Sequence, residues 1–525
     1  MVASLVSILA LILLAMAAFG LGRPLLRQLD LDGEDSLALG VYSIALGLTA
    51  VGAMLLSLHL AGWLYESVIV VFTMLSGCWG MIEICLVWLQ SSERGSWAIR
   101  EVSFDDFRDH ATMQPSRRPP RWLALGMAAA VAVIACCTLI SALAPPTGDS
   151  PLGMQSERSR MLLLDHGLAD AATLAGTACK QAVAHRSEEC ARDPFAAPAS
   201  FVGLWHAWAM ALDGEVCSQL FHWAMGGLLA LAVVLLAEPI LGYSWAWVAG
   251  AVALMSPGVE PPHAVSLDGI PLAAMGTLAI AAWWRATMHG RSRRWLVVAG
   301  LTGGTAIAVN WSACLLLVPM AASWLWTWWR QPEQRRILAR SAAMMTSLTV
   351  VVGGLGSLPM LSAATSPQSA AFAAAWRSFG FEREILDYLG VTLVAAAPGL
   401  CLARRLHRLG VIVSMASACI LMGHFLNAEA MLLAAIPPAS IAAVWVWIEI
   451  RRFPPFLLRT AVAAFACMLA ATAAVPVVRS GDAIRVAVGL EDREEYLIRR
   501  EPSFHTNHAP IDPSLVRCAN GAVRR

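Results

Sequence analysis

Long apolar stretches recur along almost the whole chain and are separated by short polar segments. A helix needs ~20 apolar residues to cross ~30 Å of hydrocarbon, and most stretches approach that length. A backbone surrounded by lipid must satisfy its own hydrogen bonds, so each stretch is predicted to be helical. The pattern therefore predicts an all-α polytopic membrane protein with about fourteen transmembrane helices. The predicted spans are Val2–Gly22, Leu37–Leu64, Val68–Leu89, Trp122–Ala144, Gln219–Leu241, Trp245–Pro257, Ala264–Trp284, Leu296–Ala308, Trp311–Trp329, Ala342–Leu361, Leu389–Ala403, Leu409–Gly423, Ala430–Ile448 and Ala461–Val478.

The amino-acid composition also indicates that lipid surrounds the protein. Of the 525 residues, 58% are apolar and 14% are charged. A soluble globular domain has roughly 45–50% apolar and about 25% charged residues. The formal net charge of +1 does not favour nucleic acid as a partner. The first stretch, Val2–Gly22, has no basic segment and no small-residue cleavage site, so it is predicted to be a retained span rather than a signal peptide.

Arginine clusters predict which loops face the cytoplasm. The loop Ser91–Arg121 and several shorter loops are rich in arginine, and cytoplasmic loops carry an excess of basic residues. Pro145–Ser200 and the tail Arg479–Arg525 are then extracytoplasmic. An even number of crossings must separate two cytoplasmic loops. Phe201–Leu212, which contains His206, is therefore predicted to be an interfacial helix rather than a span.

The predicted spans and loops divide the chain into three parts. These are a three-span N-terminal extension with a basic cytoplasmic loop (1–121), a transmembrane core (122–478) and an extracytoplasmic tail (479–525). The core carries one long outer loop, 145–200, in which Cys179 and Cys190 are candidates for a disulfide if the compartment is oxidising. The chain has no CxxC pair and no Cys/His spacing typical of a metal site.

Polar residues near the predicted outer span ends are the candidates for chemistry. Asp149 lies in the sequence Gly-Asp-Ser-Pro, which fits either a solvated turn or a carboxylate held at the membrane surface. Asp268 lies near the outer end of an otherwise uncharged span, where an ionisable group either reaches the interface or faces a cavity. The polar break that contains His424, Asn427 and Glu429 fits either a tight turn or a cluster facing the same outer cavity.

Several stretches resemble the bacterial GT-C-type membrane glycosyltransferases, the superfamily that includes aminoarabinose transferases and protein O-mannosyltransferases. They are APPTGDSPLG with the following MLLLDHGL, SLDGIPLAAMGTLAIAAWW, WLVVAGLTGGTAIAVNWSACLLLVPMA and HFLNAEAMLLAAIPPASIAA. The tail segment EDREEYLIRREPSFHTNHAPIDPSLV is also similar to the start of the family's outer domain. The likeness covers roughly Trp122 to Val516. Basic residues of the family pattern are replaced by Asn310, Phe425 and Ala428, so the chain resembles a divergent member.

The resemblance implies a GT-C-like core in the inner (plasma) membrane and sugar transfer on its extracytoplasmic side. The donor would be a sugar on a polyprenyl phosphate that enters from membrane lipid, and no metal or other cofactor is implied. Asp149 would take the proton of the acceptor hydroxyl, and Asp268 would orient that base or the acceptor. Five residues would bind the substrate: Arg158, Arg160, His424, Asn427 and Glu429. The two arginines and the histidine are the candidates for binding the leaving phosphate.

Two alternatives are compatible with the sequence. A transporter would need polar residues at mid-membrane on several spans, whereas the polar groups here gather at the predicted outer ends. A non-catalytic membrane protein with the same fold would carry the same apolar pattern. Convergence of Asp149 and Asp268 on one outer cavity would favour the transferase.

Overall fold

The structure of the chain is a computed structural model. It describes residues 2–31, 35–93, 121–145, 200–256, 268–288, 292–316, 335–364 and 429–450, together with scattered residues at 156–164, 320–333 and 456–496. Regular secondary structure in these ranges is helical. The helices are α1 (Val2–Gln28), α2 (Ser36–Leu60), α3 (Glu66–Glu93), α4 (Arg121–Leu143), α5 (Phe201–Leu241), α6 (Tyr243–Leu254), α7 (Gly269–Met288), α8 (Ser292–Val309), α9 (Arg335–Ala364), α10 (Glu429–Ala434) and α11 (Ile436–Ile450), with a 3₁₀ helix at Trp311–Leu316.

Six helical segments in the described part of the chain are long and apolar enough to cross a membrane. They are Ser4–Gln28, Ser36–Leu60, Glu66–Leu89, Leu125–Leu143, Phe201–Leu241 and Leu432–Glu449. The side chains that α3 and α4 leave exposed are mostly large and apolar, and lipid is the solvent that accepts such a surface. The protein is therefore a helical membrane protein.

The first four helices lie where the apolar stretches predict them. Helix α1 continues beyond the predicted Gly22 to Gln28, with Pro24 inside it. The break predicted between the stretches Leu296–Ala308 and Trp311–Trp329 is confirmed at Asn310, because α8 ends at Val309 and the 3₁₀ helix begins at Trp311. The Asn310 side chain accepts a hydrogen bond from the backbone N–H of Ser312 at 3.0 Å, which satisfies one donor at that break.

Helix α5 is interrupted and folds back on itself as a hairpin. Its backbone leaves helical geometry at Asp213 (φ −154°, ψ 33°) and Gly214 (φ 68°, ψ −155°), the latter a conformation that is essentially restricted to glycine. Side chains that lie a similar number of residues before and after the break are in contact. His206 hydrogen-bonds Ser218 at 2.6 Å, and the rings of Trp205 and Phe221 lie 6.3 Å apart. We call residues 201–212 the first arm and residues 215–241 the second arm.

The first arm is buried among other helices, so the prediction of an interfacial helix is wrong. An interfacial helix keeps a polar face in water, whereas Trp205 and Trp208 are both 0% exposed. The Trp205 indole N–H donates to the Leu48 carbonyl at 3.1 Å, and the Trp208 indole N–H donates to the Thr73 hydroxyl at 2.7 Å. These bonds attach the first arm to α2 and α3. The segment is short for a membrane-crossing helix, and it packs in the interior of the protein rather than at the membrane surface.

Helices α1, α2 and α3 pack closely through glycine. A Cβ atom added at Gly20 would lie 2.6 Å from the backbone nitrogen of Gly80, and one added at Gly47 would overlap the backbone oxygen of Ala18. Small residues of this kind let membrane helices approach until their backbones are in contact. The packing of the N-terminal extension therefore depends on glycine at these positions.

Replacing Gly47 by alanine is expected to destabilise the protein by about 1–3 kcal/mol, because the new methyl group must displace backbone atoms of α1. The matched control is Gly40→Ala in the same helix, where no atom lies within 4 Å of the new Cβ position. The aggregation temperature of each variant in detergent measures the effect. Equal temperatures for the two variants would contradict the close approach of α1 and α2.

The three N-terminal helices contact the helices that follow them in the chain. The Tyr42 hydroxyl donates to the Leu278 carbonyl of α7 at 3.1 Å, and the Tyr42 ring packs edge-on against Trp295 of α8. The hydroxyls of Thr49 and Thr305 lie 2.7 Å apart between α2 and α8. The extension is thus packed against the predicted transmembrane core through the middle of α2.

Arginines meet acidic partners at one end of the bundle, which we call the basic end. Arg27 pairs with Glu83, Arg294 lies 2.5 Å from Asp30, and Arg285 lies 3.5 Å from Glu238. These pairs bring together the C-terminal ends of α1, α3, α5 and α7 with the start of α8. The N-terminus of α1, the α5 break and the start of α7 consequently lie toward the opposite end. The arginine bias predicts that the basic end is cytoplasmic.

Candidate functional site

Most of the site residues predicted from sequence lie outside the described residues. These are Asp149, Arg158, Cys179, Cys190, His424 and Asn427. Arg160 is described and its side chain is exposed, and Glu429 is the first residue of α10. The convergence of Asp149 and Asp268 on one cavity stays a prediction.

Asp268 immediately precedes α7. Its carbonyl accepts the first backbone hydrogen bond of that helix, from the N–H of Leu272 at 2.9 Å. The residues that follow, from Ile270 onward, are buried, whereas Asp268 is partly exposed. Since Arg285 near the other end of α7 belongs to the basic end, Asp268 lies at the opposite end of the bundle. This is the end at which the resemblance to GT-C-type transferases predicts the substrate.

An apolar cleft of about 740 Å³ runs between α1, α2, α4, α5 and α6. The residues that line it are almost all apolar, with Trp208, Trp223 and Trp247 as the largest. Representative wall residues from these helices are Leu11, Ile44, Val131, Phe221, Val234 and Ala251. Ser244, at the basic end, is the one hydroxyl side chain among the described lining residues.

The cleft is long and follows the helix axes. Its wall on α5 extends from Phe221 to Val234, which is about 20 Å at 1.5 Å per residue. One leaflet of a bilayer is about 15 Å deep, half of the ~30 Å hydrocarbon core. The cleft wall on α5 is therefore longer than one leaflet is deep, whereas the wall on α1, from Leu11 to Ala18, is about 10 Å long.

One side of the cleft is formed by helices with exposed apolar side chains. Helix α4 is the least buried of the apolar helices, and Leu125 and Val133 on it are exposed while Met127 faces the interior. Trp247 of α6 lines the cleft and is itself exposed. The Trp223 indole N–H donates to the Thr138 hydroxyl at 3.0 Å, which joins α5 to α4 beside the cleft. The cleft is therefore bordered by exposed apolar side chains, which are suited to contact with lipid.

A carboxylate lies just beyond the end of the cleft that is farthest from the basic end. The Ser7 hydroxyl of α1 donates a hydrogen bond to Oδ2 of Asp213, at the turn of the α5 hairpin. Ser7 and Leu11 are one helical turn apart on the same face of α1, and Leu11 lines the cleft. Asp213 was not identified from the sequence. The sequence feature that could have identified it is the Asp-Gly dipeptide, which is common in turns and here interrupts an apolar stretch.

A pair of buried histidines lies between the two arms of the hairpin. The His206 and His222 rings stack with centroids 6.0 Å apart, and His206 Nδ1 contacts the Ser218 hydroxyl at 2.6 Å. Nε2 of His206 and both ring nitrogens of His222 have no hydrogen-bond partner within the described ranges. The Phe221 ring packs edge-on against His206 at 5.8 Å and also lines the cleft, so it lies between this pair and the cleft.

The chain matches no protein-family model, no curated protein and no solved structure. The described residues also include no group of three or more His, Cys, Asp or Glu side chains that could hold a metal ion.

Proposed function

We propose that the protein is a membrane glycosyltransferase that moves a sugar from a polyprenyl phosphate to an acceptor on the extracytoplasmic side of the inner membrane. The observation that carries the proposal is the apolar cleft bordered by lipid, with a carboxylate just beyond one end. The resemblance to GT-C-type transferases supports the same assignment. The proposal includes about fourteen spans, with the basic end in the cytoplasm.

The shape of the cleft favours a long isoprenoid chain over a phospholipid tail. Lipid tails are as apolar as the cleft wall, so a chain entering from the bilayer gains packing contacts rather than hydrophobic transfer energy. Shape and length then decide which lipid binds. Along α5 the cleft wall is about 20 Å long, which exceeds the ~15 Å depth of one leaflet, and a polyprenyl chain has the length to follow it.

The proposed chemistry lies beyond the cleft, at the end opposite the arginine pairs. Asp149 is proposed as the base that takes the proton from the acceptor hydroxyl, and Asp268 as the group that orients it. The phosphate that leaves would be stabilised by cationic groups, for which Arg158, Arg160 and His424 are the candidates. Asn427 and Glu429 would contact other groups of the substrate.

Lipid competition tests the proposal directly. The purified protein in nanodiscs of bacterial phospholipid is titrated with undecaprenyl phosphate, and native mass spectrometry counts the lipid that stays bound. We expect one undecaprenyl phosphate to be retained per chain in a large excess of phospholipid. Retention of phospholipid alone would contradict the proposed donor and leave a non-catalytic membrane protein as the better description.

A further inference from the structure

The turn of the α5 hairpin is the partly exposed part of an otherwise buried segment, and it carries the carboxylate of Asp213. Residues 212–216 are partly exposed, whereas Ala211 before them and Cys217 after them are buried. Gly214 has a φ of 68° and a ψ of −155°, which a residue with a side chain rarely adopts. The backbone at this turn therefore holds Asp213 at the accessible tip of the hairpin.

Helix α1 fixes the orientation of that carboxylate. Ser7 is 3% exposed and donates its hydroxyl hydrogen to Oδ2 of Asp213. An ionised carboxylate has about four lone-pair sites, so one hydrogen bond leaves acceptor capacity at both oxygens. A carboxylate can only accept hydrogen bonds, and its charge repels phosphate. A ligand group at Asp213 must accordingly be a donor, such as a hydroxyl or an amine.

The position of Asp213 relative to the cleft indicates where that donor comes from. Ser7 precedes Leu11 of the cleft wall by one turn, about 5.4 Å along α1. In a sugar-carrying polyprenyl phosphate, the phosphate follows the chain and the sugar follows the phosphate. With the chain in the cleft, the hydroxyls of the sugar are the donors that reach the level of the hairpin tip.

We infer that Asp213, oriented by Ser7, binds hydroxyl groups of the sugar carried by the lipid in the cleft. The inference rests on the proposed donor and adds a sugar-recognition residue to it. It also gives the N-terminal extension a role, because α1 supplies both Ser7 and part of the cleft wall. Hydrogen bonds to a charged group contribute about 1.5–3 kcal/mol, which corresponds to roughly tenfold or more in affinity.

The test compares lipids with and without a sugar. Undecaprenyl phosphate is used bare and carrying glucose, mannose or arabinose, and binding to the full chain in nanodiscs is measured by native mass spectrometry. We expect the wild-type protein to bind at least one sugar-carrying form about tenfold more tightly than the bare lipid. Asp213→Asn keeps the size and the turn preference of the residue, so we expect it to bind bare lipid normally but to lose that preference.

The control is Asp30→Asn, the same change in a residue that pairs with Arg294 at the basic end. It should keep the wild-type preference, and equal aggregation temperatures would show that both variants fold. A preference that survives in Asp213→Asn, or a wild-type protein that binds all forms equally, overturns the inference. Failure of bare undecaprenyl phosphate to bind the wild-type protein overturns the proposed donor instead, and this inference with it.

Discussion

Replacing Gly227 by phenylalanine is expected to lower the affinity for undecaprenyl phosphate by at least about tenfold without lowering stability. Gly227 lines the cleft, and no atom in the described structure lies within 4 Å of the position that its Cβ would take. A benzyl group at this position therefore occupies the cleft instead of displacing a helix. Affinity is measured by native mass spectrometry in nanodiscs and stability by the aggregation temperature in detergent.

The matched control is Gly126→Phe in α4. Gly126 is not part of the cleft wall, and its Cβ position is equally open. This variant should bind undecaprenyl phosphate as the wild-type protein does. If Gly227→Phe also binds normally while both variants keep their stability, the cleft is not the lipid site and the proposed function loses its main support.

Changing Asp149 to asparagine is expected to reduce sugar transfer by about 10²–10⁴-fold, the range that a general base contributes. Asparagine is nearly isosteric with aspartate but cannot take a proton from the acceptor. Binding of the lipid donor and the aggregation temperature should remain unchanged. A single-turnover assay with radiolabelled undecaprenyl-phosphate sugar separates the chemical step from binding.

Asp193→Asn provides the comparison, because Asp193 is another carboxylate of the same predicted outer loop. It should transfer sugar at the wild-type rate. Wild-type transfer by the Asp149 variant would remove Asp149 from the mechanism. Loss of transfer in both variants, with lower aggregation temperatures, would show instead that the loop needs its charges to fold.

The sequence predicted the membrane class and the first four helices because these depend on local composition. A stretch of about 20 apolar residues must be helical in lipid, whichever helices surround it. The break near Asn310 was also predictable locally, because arginines lie on both sides of Leu296–Trp329 and a segment between two cytoplasmic loops must cross an even number of times. The same reasoning failed for residues 201–212. An apolar segment buried in protein and one lying at the membrane surface differ little in composition, and only its contacts with Leu48 and Thr73 distinguish them.

The sequence by itself determined that the protein folds in lipid. A chain this apolar must form helices there, with its charged loops outside the hydrocarbon. The tertiary structure decided how those helices meet, and with it the cleft and the placement of Asp213. Ser7 and Asp213 are 206 residues apart, and no local pattern relates them. Their contact exists because the α5 chain reverses at Gly214 and the resulting turn lies beside α1. Hydropathy reports whether a residue prefers lipid or water, whereas a binding site depends on which side chains packing brings together.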